Sequence, residues 1–459
     1  MNQNTQNPLK NAGPGLHRSL VALSLVSALA FAASAHAATL CVNQNPTPGC
    51  VATISAAVAA ASSGDTVTVA PGTYREDVVL GKSLSLIGQD RATTIIDAKA
   101  LSNGVYVDGF DNPGLTQVVV TGFTIENANF EGVLVQDASD VTIWGNSVRG
   151  NDLSLQPSSS ACPGLPAFET SDGNDCGQGI HLIGVDHSTI TFNDVELNAG
   201  GILVSDETAT SHDNAIARNW VKDNAYNGGI TLASHLAFGT GAGTKLAYGI
   251  YDNSISNNDC IHNGGAGVGL FAVALGERSY ANSVVGNRLI GNSMSGIAIH
   301  NQARFSDSGA PPNPDVNNNV LVGNYVAGNG PDPDAPTTVP TGISIFGVTP
   351  IVDTVIADNV IVDEDIDLAM NSASTLNIHL NAFAGKVGIA NLNPLGQINA
   401  VENWWGCNAG PGKPGCSTIV GQLVAFTAWL TLPTTTVDQI HTHDHDNDCD
   451  HPQDCDRNH

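Results

Sequence analysis

Residues 143–151 read Ile-Trp-Gly-Asn-Ser-Val-Arg-Gly-Asn, and this arrangement of two apolar residues and two asparagines recurs along the chain. The first asparagines of the copies are Asn146, Asn193, Asn219, Asn253, Asn287, Asn324 and Asn359. The second asparagines are Asn151, Asn198, Asn224, Asn258, Asn292 and Asn329, with Glu364 in the last copy. Looser copies surround Asn381 and Asn403. Recurrence at such intervals indicates a solenoid.

The spacing of the copies indicates which kind of solenoid this is. Successive first asparagines are separated by 47, 26, 34, 34, 37, 35, 22 and 22 residues. Helical repeats tolerate such variation poorly, whereas a parallel β-helix releases extra residues as loops. The shortest spacing, 22 residues, then corresponds to one coil without an insertion. We expect the asparagines to stack into amide ladders at the turns and to take the left-handed backbone that tight turns need.

A second apolar strand follows each asparagine pair. These strands occupy residues 179–182, 201–204, 229–232, 267–270, 296–299 and 342–345. Alternation turns Ile and Leu inward, and it turns outward His181, Leu203, Thr231, Gly269, Ala298 and Ser344. The strand ends carry Ser205, Ala233, Phe271, His300 and Phe346. Stacking such strands about 4.8 Å apart predicts an all-β, single-domain parallel β-helix around an apolar interior.

The ends of a solenoid need caps, because the end coils otherwise expose core and unpaired strand edges. Residues 53–61 form a short apolar stretch with helical character, which predicts an N-terminal capping helix. Residues 420–432 are also apolar, and we expect them to cover the last coil.

Two segments give the chain a family resemblance. The first contains Asp-Thr-Val-Thr-Val-Ala-Pro-Gly-Thr-Tyr-Arg-Glu from Asp65 and Leu-Ser-Leu-Ile-Gly from Leu84; the second is Asn-Trp-Trp-Gly-Cys from Asn403. With the repeats, they resemble secreted bacterial proteins of the pectin-lyase-like superfamily over about residues 50–430. The resemblance implies a right-handed parallel β-helix. It does not imply one activity, because this superfamily contains lyases, esterases, hydrolases, epimerases and non-enzymatic adhesins.

The catalytic motifs of these families are mostly missing. Residues 122–127, Gly-Phe-Thr-Ile-Glu-Asn, resemble a fragment of the pectin methylesterase pattern, but that family's catalytic segments are absent. The sequence also lacks the Asp-Pro-His-Asp of alginate epimerases, the Gly-His-Gly of polygalacturonases and the Arg-x-Pro-x-x-Arg of the main pectate lyases. No catalytic set therefore carries over from the resemblance.

The termini predict export and a separate tail. Residues 1–37 have the basic start, apolar run and Ala-His-Ala end of a signal peptide, so we expect a β-helix domain over 38–432 and a tail over 433–459. The predicted location is extracellular or periplasmic, in a bacterium, without a membrane span. Nine cysteines fit such a compartment. Their neighbours suggest pairs Cys41–Cys50, Cys162–Cys176, Cys407–Cys416 and Cys449–Cys455, which leaves Cys260 as a buried thiol.

The net charge restricts the partners. The chain has a formal net charge of -27, which argues against nucleic acid, since that partner needs a basic face. It also disfavours an anionic polysaccharide unless calcium bridges the two, whereas a neutral glycan meets no such barrier.

The tail alternates histidine and aspartate. Its candidate ligands for a transition metal or calcium are His441, His443, Asp444, His445, Asp446, Asp448 and Asp450. The alternative is a disordered, solubilising tail that binds metal only adventitiously.

Insertions before and after the second strands predict a groove over that sheet, because solenoid insertions gather on the binding face. Candidate catalytic residues there are His300, Arg304, Asp206 and His181. Candidate substrate contacts are Phe271, Phe346, Thr231, Glu207, His235, Lys245 and Arg278. His300 with Arg304 would suit proton abstraction beside a carboxylate, as in uronate elimination or epimerisation. Asp206 or Glu207 with a facing carboxylate would suit glycoside hydrolysis.

Two classes of function remain open. The first is a polysaccharide-binding protein that also cleaves or modifies its ligand, as a lyase, epimerase or hydrolase. The second is a non-catalytic surface or matrix protein that binds glycan or metal.

Overall fold

The structure is a computed structural model that describes residues 37–45, 47–151, 177–237, 247–303 and 312–433. Within these ranges the chain forms one helix, Ile54–Ala60, and four parallel sheets of 15, 11, 12 and 3 strands. The described residues belong to one compact unit that begins at Ala37. No helix among them is long and apolar enough to cross a membrane. The predicted all-β parallel β-helix with a short N-terminal helix is confirmed.

Each complete coil of the solenoid contributes one strand to each of three long sheets, in the order I, II, III. Sheet I comprises Cys50–Val51, Thr39–Val42, Thr66–Val69, Ser85–Gly88, Val119–Thr121, Thr142–Trp144, Thr189–Thr191, Ala215–Ala217, Ser254–Ser256, Ser283–Val285, Val320–Val322, Val355–Ala357, Thr375–His379, Gln397–Asn399 and Val424–Ala425. Sheet II comprises Gly72–Tyr74, Thr94–Asp97, Thr124–Glu126, Ser147–Arg149, Asp194–Glu196, Trp220–Lys222, Asp259–Ile261, Arg288–Ile290, Tyr325–Ala327, Val360–Val362 and Ala382–Phe383.

Sheet III carries the second apolar strands of the repeat. It comprises Val78–Leu80, Val105–Asp108, Val133–Gln136, Gln178–Ile183, Gly200–Ser205, Ile230–Ser234, Val268–Ala272, Ile297–Asn301, Thr341–Gly347, Ile366–Ser372, Val387–Asn391 and Thr418–Val420. The small sheet IV comprises Ser211–His212, Ile250–Tyr251 and Ser279–Tyr280, which lie between sheet III and sheet I in the chain.

The interior is one continuous apolar column. The central residue of each short strand points inward, so that Ile143, Ile190 and Ile216 stack in sheet I while Val148 and Val195 stack in sheet II. All five are fully buried. Parallel strands of this kind tolerate only apolar side chains on the enclosed face. The repeat of branched aliphatic residues in the sequence is therefore the repeat of the core.

Asparagine ladders lie at the corners, as the sequence predicts. Each ladder amide donates to the side-chain oxygen of the asparagine one coil further along and to a backbone carbonyl: Asn146 Nδ2 lies 3.1 Å from Asn193 Oδ1 and 3.0 Å from the Val120 carbonyl. The ladder between sheets I and II consists of Asn146, Asn193, Asn219, Asn258, Asn287, Asn324, Asn359, Asn381 and Asn403. These bonds satisfy buried amides that would otherwise destabilise the corner.

One assignment from the sequence is wrong. Asn253 does not belong to this first ladder, because Asn219 bonds to Asn258. Asn253 stands in a third ladder, between Asn214 and Asn282, at the corner between sheets III and I. The repeat pattern fits residues 250–258 and 255–263 equally well if Cys260 is counted as apolar. Burial decides between the two readings, since Cys260 replaces the aliphatic residue in sheet II and is fully buried.

The left-handed turn residues are also different from those expected. The residue before each ladder asparagine takes the positive φ angle, for example Phe192 at 55°, Arg218 at 55° and Asp358 at 55°. The asparagine itself folds inward to bond its neighbours. Short polar residues and glycine adopt this backbone most readily, but here the ladder bonds hold bulkier side chains in it as well.

The two ends differ. Thr53 caps the N-terminal helix, which buries Ile54, Ala57 and Val58 against the first coil, as predicted. The C-terminal segment covers the last coil less completely than predicted. Val424 and Phe426 pack against the core, whereas Val420, Leu423 and Leu432 are exposed because the chain there forms two short strands rather than a lid.

Two of the predicted disulfides lie in the described part of the chain, and both are present. They join Cys41 to Cys50 and Cys407 to Cys416. The other two predicted pairs, Cys162–Cys176 and Cys449–Cys455, lie outside the described residues, as do the predicted signal peptide through residue 36 and the tail from residue 434.

Candidate functional site

The outward face of sheet III has the registers that the repeat predicts. His181, Leu203 and Thr231 align in one row, which continues through Gly269, Ala298 and Ser344. The adjacent row continues through Ala233, Phe271, His300 and Phe346. Parallel pairing without slippage brings residues from distant parts of the chain within about 4.8 Å of their neighbours.

A cleft of about 270 Å³ opens over part of this face. Leu203, Thr231, Ala233 and Phe271 contribute from sheet III. Gln178 and Ser234 contribute from the ends of sheet III strands. The rest of the lining comes from residues at the corners and in the insertions: Tyr226, Asn227, Gly228, His235, Gly265, Ala266, Val273, Met294 and Asp334. The volume lies just below the range of about 300–1,000 Å³ that is typical of small-molecule sites.

His235 is the imidazole that lines the cleft. Its Nδ1 lies 2.6 Å from Oε1 of Glu207, which is fully buried behind it. Burial opposes ionisation of Glu207, but the charge and hydrogen bond of His235, the nearby His181 and the Ser205 hydroxyl together lower the pKa of Glu207 to about 2. The carboxylate is therefore charged at neutral pH and accepts the hydrogen bond from the imidazole. The Nδ1–Glu207 hydrogen bond fixes the orientation of the imidazole ring beside the cleft.

His181 belongs to the same buried network. Its Nδ1 lies 3.1 Å from Glu131 Oε1 and its Nε2 lies 2.9 Å from the Ser205 hydroxyl. Since the Ser205 hydroxyl also bonds Glu207, polar contacts run from Glu131 through His181 to the His235 pair. His181 itself is fully buried and does not line the cleft. The structure thus places it behind the cleft, as a support for Glu207.

Asp206 holds the backbone of this wall. Its carboxylate accepts from the His235 amide at 2.7 Å, from the Ser234 hydroxyl at 3.1 Å and from the Gly249 amide. Burial raises the pKa of Asp206 to about 7, although the two backbone amides lower it. Asp206 is fully buried and does not face the cleft. It connects the end of one sheet III strand to the loop that carries His235.

A second imidazole–carboxylate pair lies further along the face. His300 Nε2 is 2.8 Å from Asp332 Oδ2, and its Nδ1 is 3.8 Å from Asp334 Oδ2. Burial favours protonated Asp332, but its bond to His300 and the His300 charge hold the pKa of that carboxyl below its ordinary value. His300 is almost completely buried and packs between the rings of Phe271, at 5.2 Å, and Phe346, at 5.9 Å.

The His300 group needs no metal to be satisfied. His300, Asp332 and Asp334 place three ligand atoms within 4.8 Å of one another. Asp332 Oδ2 already accepts from His300, Ser295 and Ser344, however. The arrangement is a complete hydrogen-bond cluster, and its exposed member, Asp334, is the one that reaches the cleft.

The remaining candidates are dispersed. Arg278 donates to the Tyr248 carbonyl at 2.8 Å and does not line the cleft, and neither does Phe346. Arg304 and Lys245 lie outside the described residues. The tail ligands His441, His443, Asp444, His445, Asp446, Asp448 and Asp450 lie outside them as well. The pairing of His300 with Arg304 therefore stays a prediction.

Sequence reasoning missed four residues of this region: Glu131, Tyr226, Asp332 and Asp334. Each lies at a corner or in an insertion, where no strand pattern fixes its direction. The run Pro-Asp-Pro-Asp at 331–334 was a usable signal, because prolines rigidify an insertion that precedes a predicted sheet III strand.

Comparison with known proteins agrees with this architecture. Residues 85–240 match the family model described as right handed beta helix region. The match and the stacked parallel sheets show that the chain folds as a right-handed parallel β-helix. No curated protein sequence matches this β-helix.

Solved structures resemble the β-helix at low sequence identity. The Dettilon tailspike protein is 16% identical, with a TM-score of 0.51, over 79% of this chain and 62% of the tailspike chain. The catalytic unit of the GH87 α-1,3-glucanase from Streptomyces thermodiastaticus is 15% identical, with a TM-score of 0.45, over 82% of this chain and 65% of the other. The β-helix thus spans less than two thirds of either relative, and these similarities describe the fold alone.

Proposed function

We propose that this protein binds a neutral polysaccharide in the cleft over sheet III. The observation that carries the proposal is the composition of the cleft. Tyr226, 46% exposed, and Phe271 offer aromatic surfaces, while Asn227, Thr231 and His235 offer polar groups beside them. Sugar rings have an apolar face and a rim of hydroxyls, so a binding site needs both kinds of surface close together.

The charges favour a neutral ligand. Apart from the Tyr226 phenol, His235 and Asp334 are the ionisable side chains among the described lining residues, and neither lysine nor arginine contributes. The chain as a whole carries a net charge of -27. A uronate polymer would meet a carboxylate and a repulsive field in this cleft without a described cation to offset them. We infer that uncharged glycans are preferred.

The disulfides support a location outside the cytoplasm. Two disulfides close short loops at opposite ends of the described chain, and such bonds persist in oxidising compartments. We infer that the protein works outside the cytoplasm, as the predicted signal peptide also indicates. Extracellular and periplasmic glycans are accessible there.

A panel of polysaccharides tests the proposal. Affinity electrophoresis through gels containing neutral or acidic polymers should retard the protein in at least one neutral polymer. Tyr226→Ala should weaken that retardation about fivefold or more, since one stacking contact contributes about 1 kcal/mol or more. Tyr248→Ala is the matched control, because Tyr248 is 43% exposed and does not line the cleft. Equal loss in both variants, or retardation by acidic polymers alone, would contradict the proposal.

Hydrolysis is the second candidate, and the His235–Glu207 pair favours it. An imidazole oriented by a charged carboxylate can take a proton from water that attacks the sugar, while a second group protonates the leaving oxygen. Asp334 is the other ionisable side chain of the described lining. Most glycosidases use two carboxyls for these steps, so His235 would here replace one of them.

Release of reducing ends from the bound glycan tests this second candidate. His235→Asn should reduce the release by about 100-fold or more while leaving retardation in the gel largely unchanged. His262→Asn, an exposed histidine outside the cleft, should keep full activity. Binding without any release of reducing ends would support recognition without catalysis.

A further inference from the structure

A column of ring-bearing and acidic side chains lies where sheet III passes into sheet I. The strand register aligns Asp186 with His212, and it then aligns His212 with Tyr251 and Tyr251 with Tyr280. One residue later in each coil are His187 and Asp213, which both occupy left-handed turn positions with φ of 50° and 53°. Two successive coils thus bring two histidines and two aspartates to the same corner.

We propose that His187, His212 and Asp213 form a binding site for a divalent transition-metal ion such as Zn²⁺. One ligand atom from each of the three lies within 4.8 Å of the others. None of the three residues lines the polysaccharide cleft. Two imidazoles and one carboxylate are ligands that zinc, copper and nickel prefer, whereas calcium and magnesium prefer oxygen alone.

The distances suit an ion. His212 Nδ1 lies 2.8 Å and His187 Nε2 lies 3.9 Å from Asp213 Oδ2. Ligands bonded tetrahedrally to zinc at about 2.0–2.1 Å stand about 3.3 Å from one another. The first distance must lengthen and the second shorten by about half an ångström, which rotation of exposed side chains allows. His187 and Asp213 are 57% and 47% exposed, so solvent can supply the fourth ligand.

Groups around the ligands fix their orientation. Asp186 Oδ1 lies 2.6 Å from His187 Nδ1, so the carboxylate accepts that proton and directs Nε2 toward Asp213. Metal-binding histidines commonly have a carboxylate at the other ring nitrogen. The His212 ring stacks on Tyr251, with centroids 4.9 Å apart and planes within 5°. This stacking restricts rotation of the second imidazole, and both features point to a ligand rather than to a mere surface charge pair.

The ion would join two successive coils. His187 stands before the corner residue Ser188, whereas His212 and Asp213 stand before the corresponding Asn214 of the next coil. Binding would therefore cross-link the solenoid at a corner where the side chains are otherwise exposed. The site would stabilise the coils without entering the cleft.

Zinc binding to the full mature chain tests the proposal. Every protein in this experiment carries alanine in place of the tail histidines, because the tail would otherwise bind zinc itself. These positions are His441, His443, His445, His451 and His459. The protein with these substitutions alone is the background. Equilibrium dialysis with ZnCl₂ should then give one ion per chain. Asp186→Asn should weaken binding 10- to 100-fold, and His187→Ala should weaken it further, by at least about 100-fold.

His262→Ala is the matched control, because His262 is also exposed and stands 3.8 Å from a single carboxylate, that of Asp223. It should bind zinc as the background does. Thermal unfolding gives the second readout: zinc should raise the Tm of the background and of His262→Ala, but not of His187→Ala, whose zinc-free Tm should be unchanged. Undiminished zinc binding in His187→Ala, absence of saturable binding, or displacement of zinc by equimolar calcium would overturn the proposal.

Discussion

The asparagine ladder makes a quantitative prediction at Asn287, near the middle of the solenoid. Asn287 is fully buried, and its amide donates to the Ile255 carbonyl at 2.9 Å and to Asn324 Oδ1 at 3.0 Å. Its oxygen accepts from the backbone and side-chain nitrogens of Asn258, at 2.9 Å and 3.0 Å. Replacement by alanine removes all four hydrogen bonds, because the methyl side chain of alanine neither donates nor accepts one.

The expected cost follows from the groups that lose a partner. The Asn258 amide and the Ile255 carbonyl are both enclosed, and each loses a bond from Asn287. A buried polar group left without its partner costs about 1–3 kcal/mol, so Asn287→Ala should lower the free energy of unfolding by about 2–6 kcal/mol. Urea unfolding followed by far-ultraviolet circular dichroism measures this change.

Asn399→Ala is the matched control for that measurement. Asn399 is exposed and donates to Asn377 alone, at 3.2 Å, on the outer face of sheet I. Its replacement should change the free energy of unfolding by no more than about 0.5 kcal/mol. If both substitutions cost the same, or if Asn287→Ala costs less than about 1 kcal/mol, the corners do not depend on the ladder.

Three further predictions concern pH and packing. Burial raises the pKa of Glu364 to about 7 against an ordinary value of 4.5, so the folded protein loses stability as pH rises from about 4.5 through 7. Glu364→Gln should abolish about 2.5 kcal/mol of this loss between pH 5 and pH 8.5 in urea titrations. His235 and the other polar neighbours of Glu207 instead lower its pKa to about 2. The stability that ionised Glu207 contributes to the folded protein is therefore present above pH 4.5 and is lost as pH falls. Glu207→Gln should remove about 3 kcal/mol of acid destabilisation between pH 5 and pH 2. Gly201→Ala places a Cβ against the Gly229 carbonyl of the next coil, and calorimetry should show a Tm loss equivalent to about 3 kcal/mol.

The coil architecture was predictable because one short pattern is repeated and each repeat occupies the same place. Ile143, Asn146 and Val148 have roles that recur in every coil, so the sequence reveals the sheet, the corner and the next sheet together. The register of sheet III was predictable for the same reason. The pattern is ambiguous at Asn253, Asn258 and Asn263, which are spaced five residues apart. The prediction there placed Asn253 at the corner that Asn258 occupies.

The cleft was less predictable. Thr231 and Phe271 lie on strands, and alternation alone indicates that they face outward. Tyr226 and Asp334 lie at a corner and in an insertion, where direction depends on contacts that the repeat does not encode. Burial of His181, Asp206 and His300 was also outside the reach of the pattern, because their partners, such as Glu131 and Asp332, lie outside the repeated strands.

A crystal structure of the protein soaked with oligosaccharides from the polymer it binds most tightly tests the central claim directly. We expect a sugar ring over Thr231, in contact with Tyr226 and within hydrogen-bond distance of His235. Density for the sugar at another face of the solenoid, with this cleft unchanged, would contradict it.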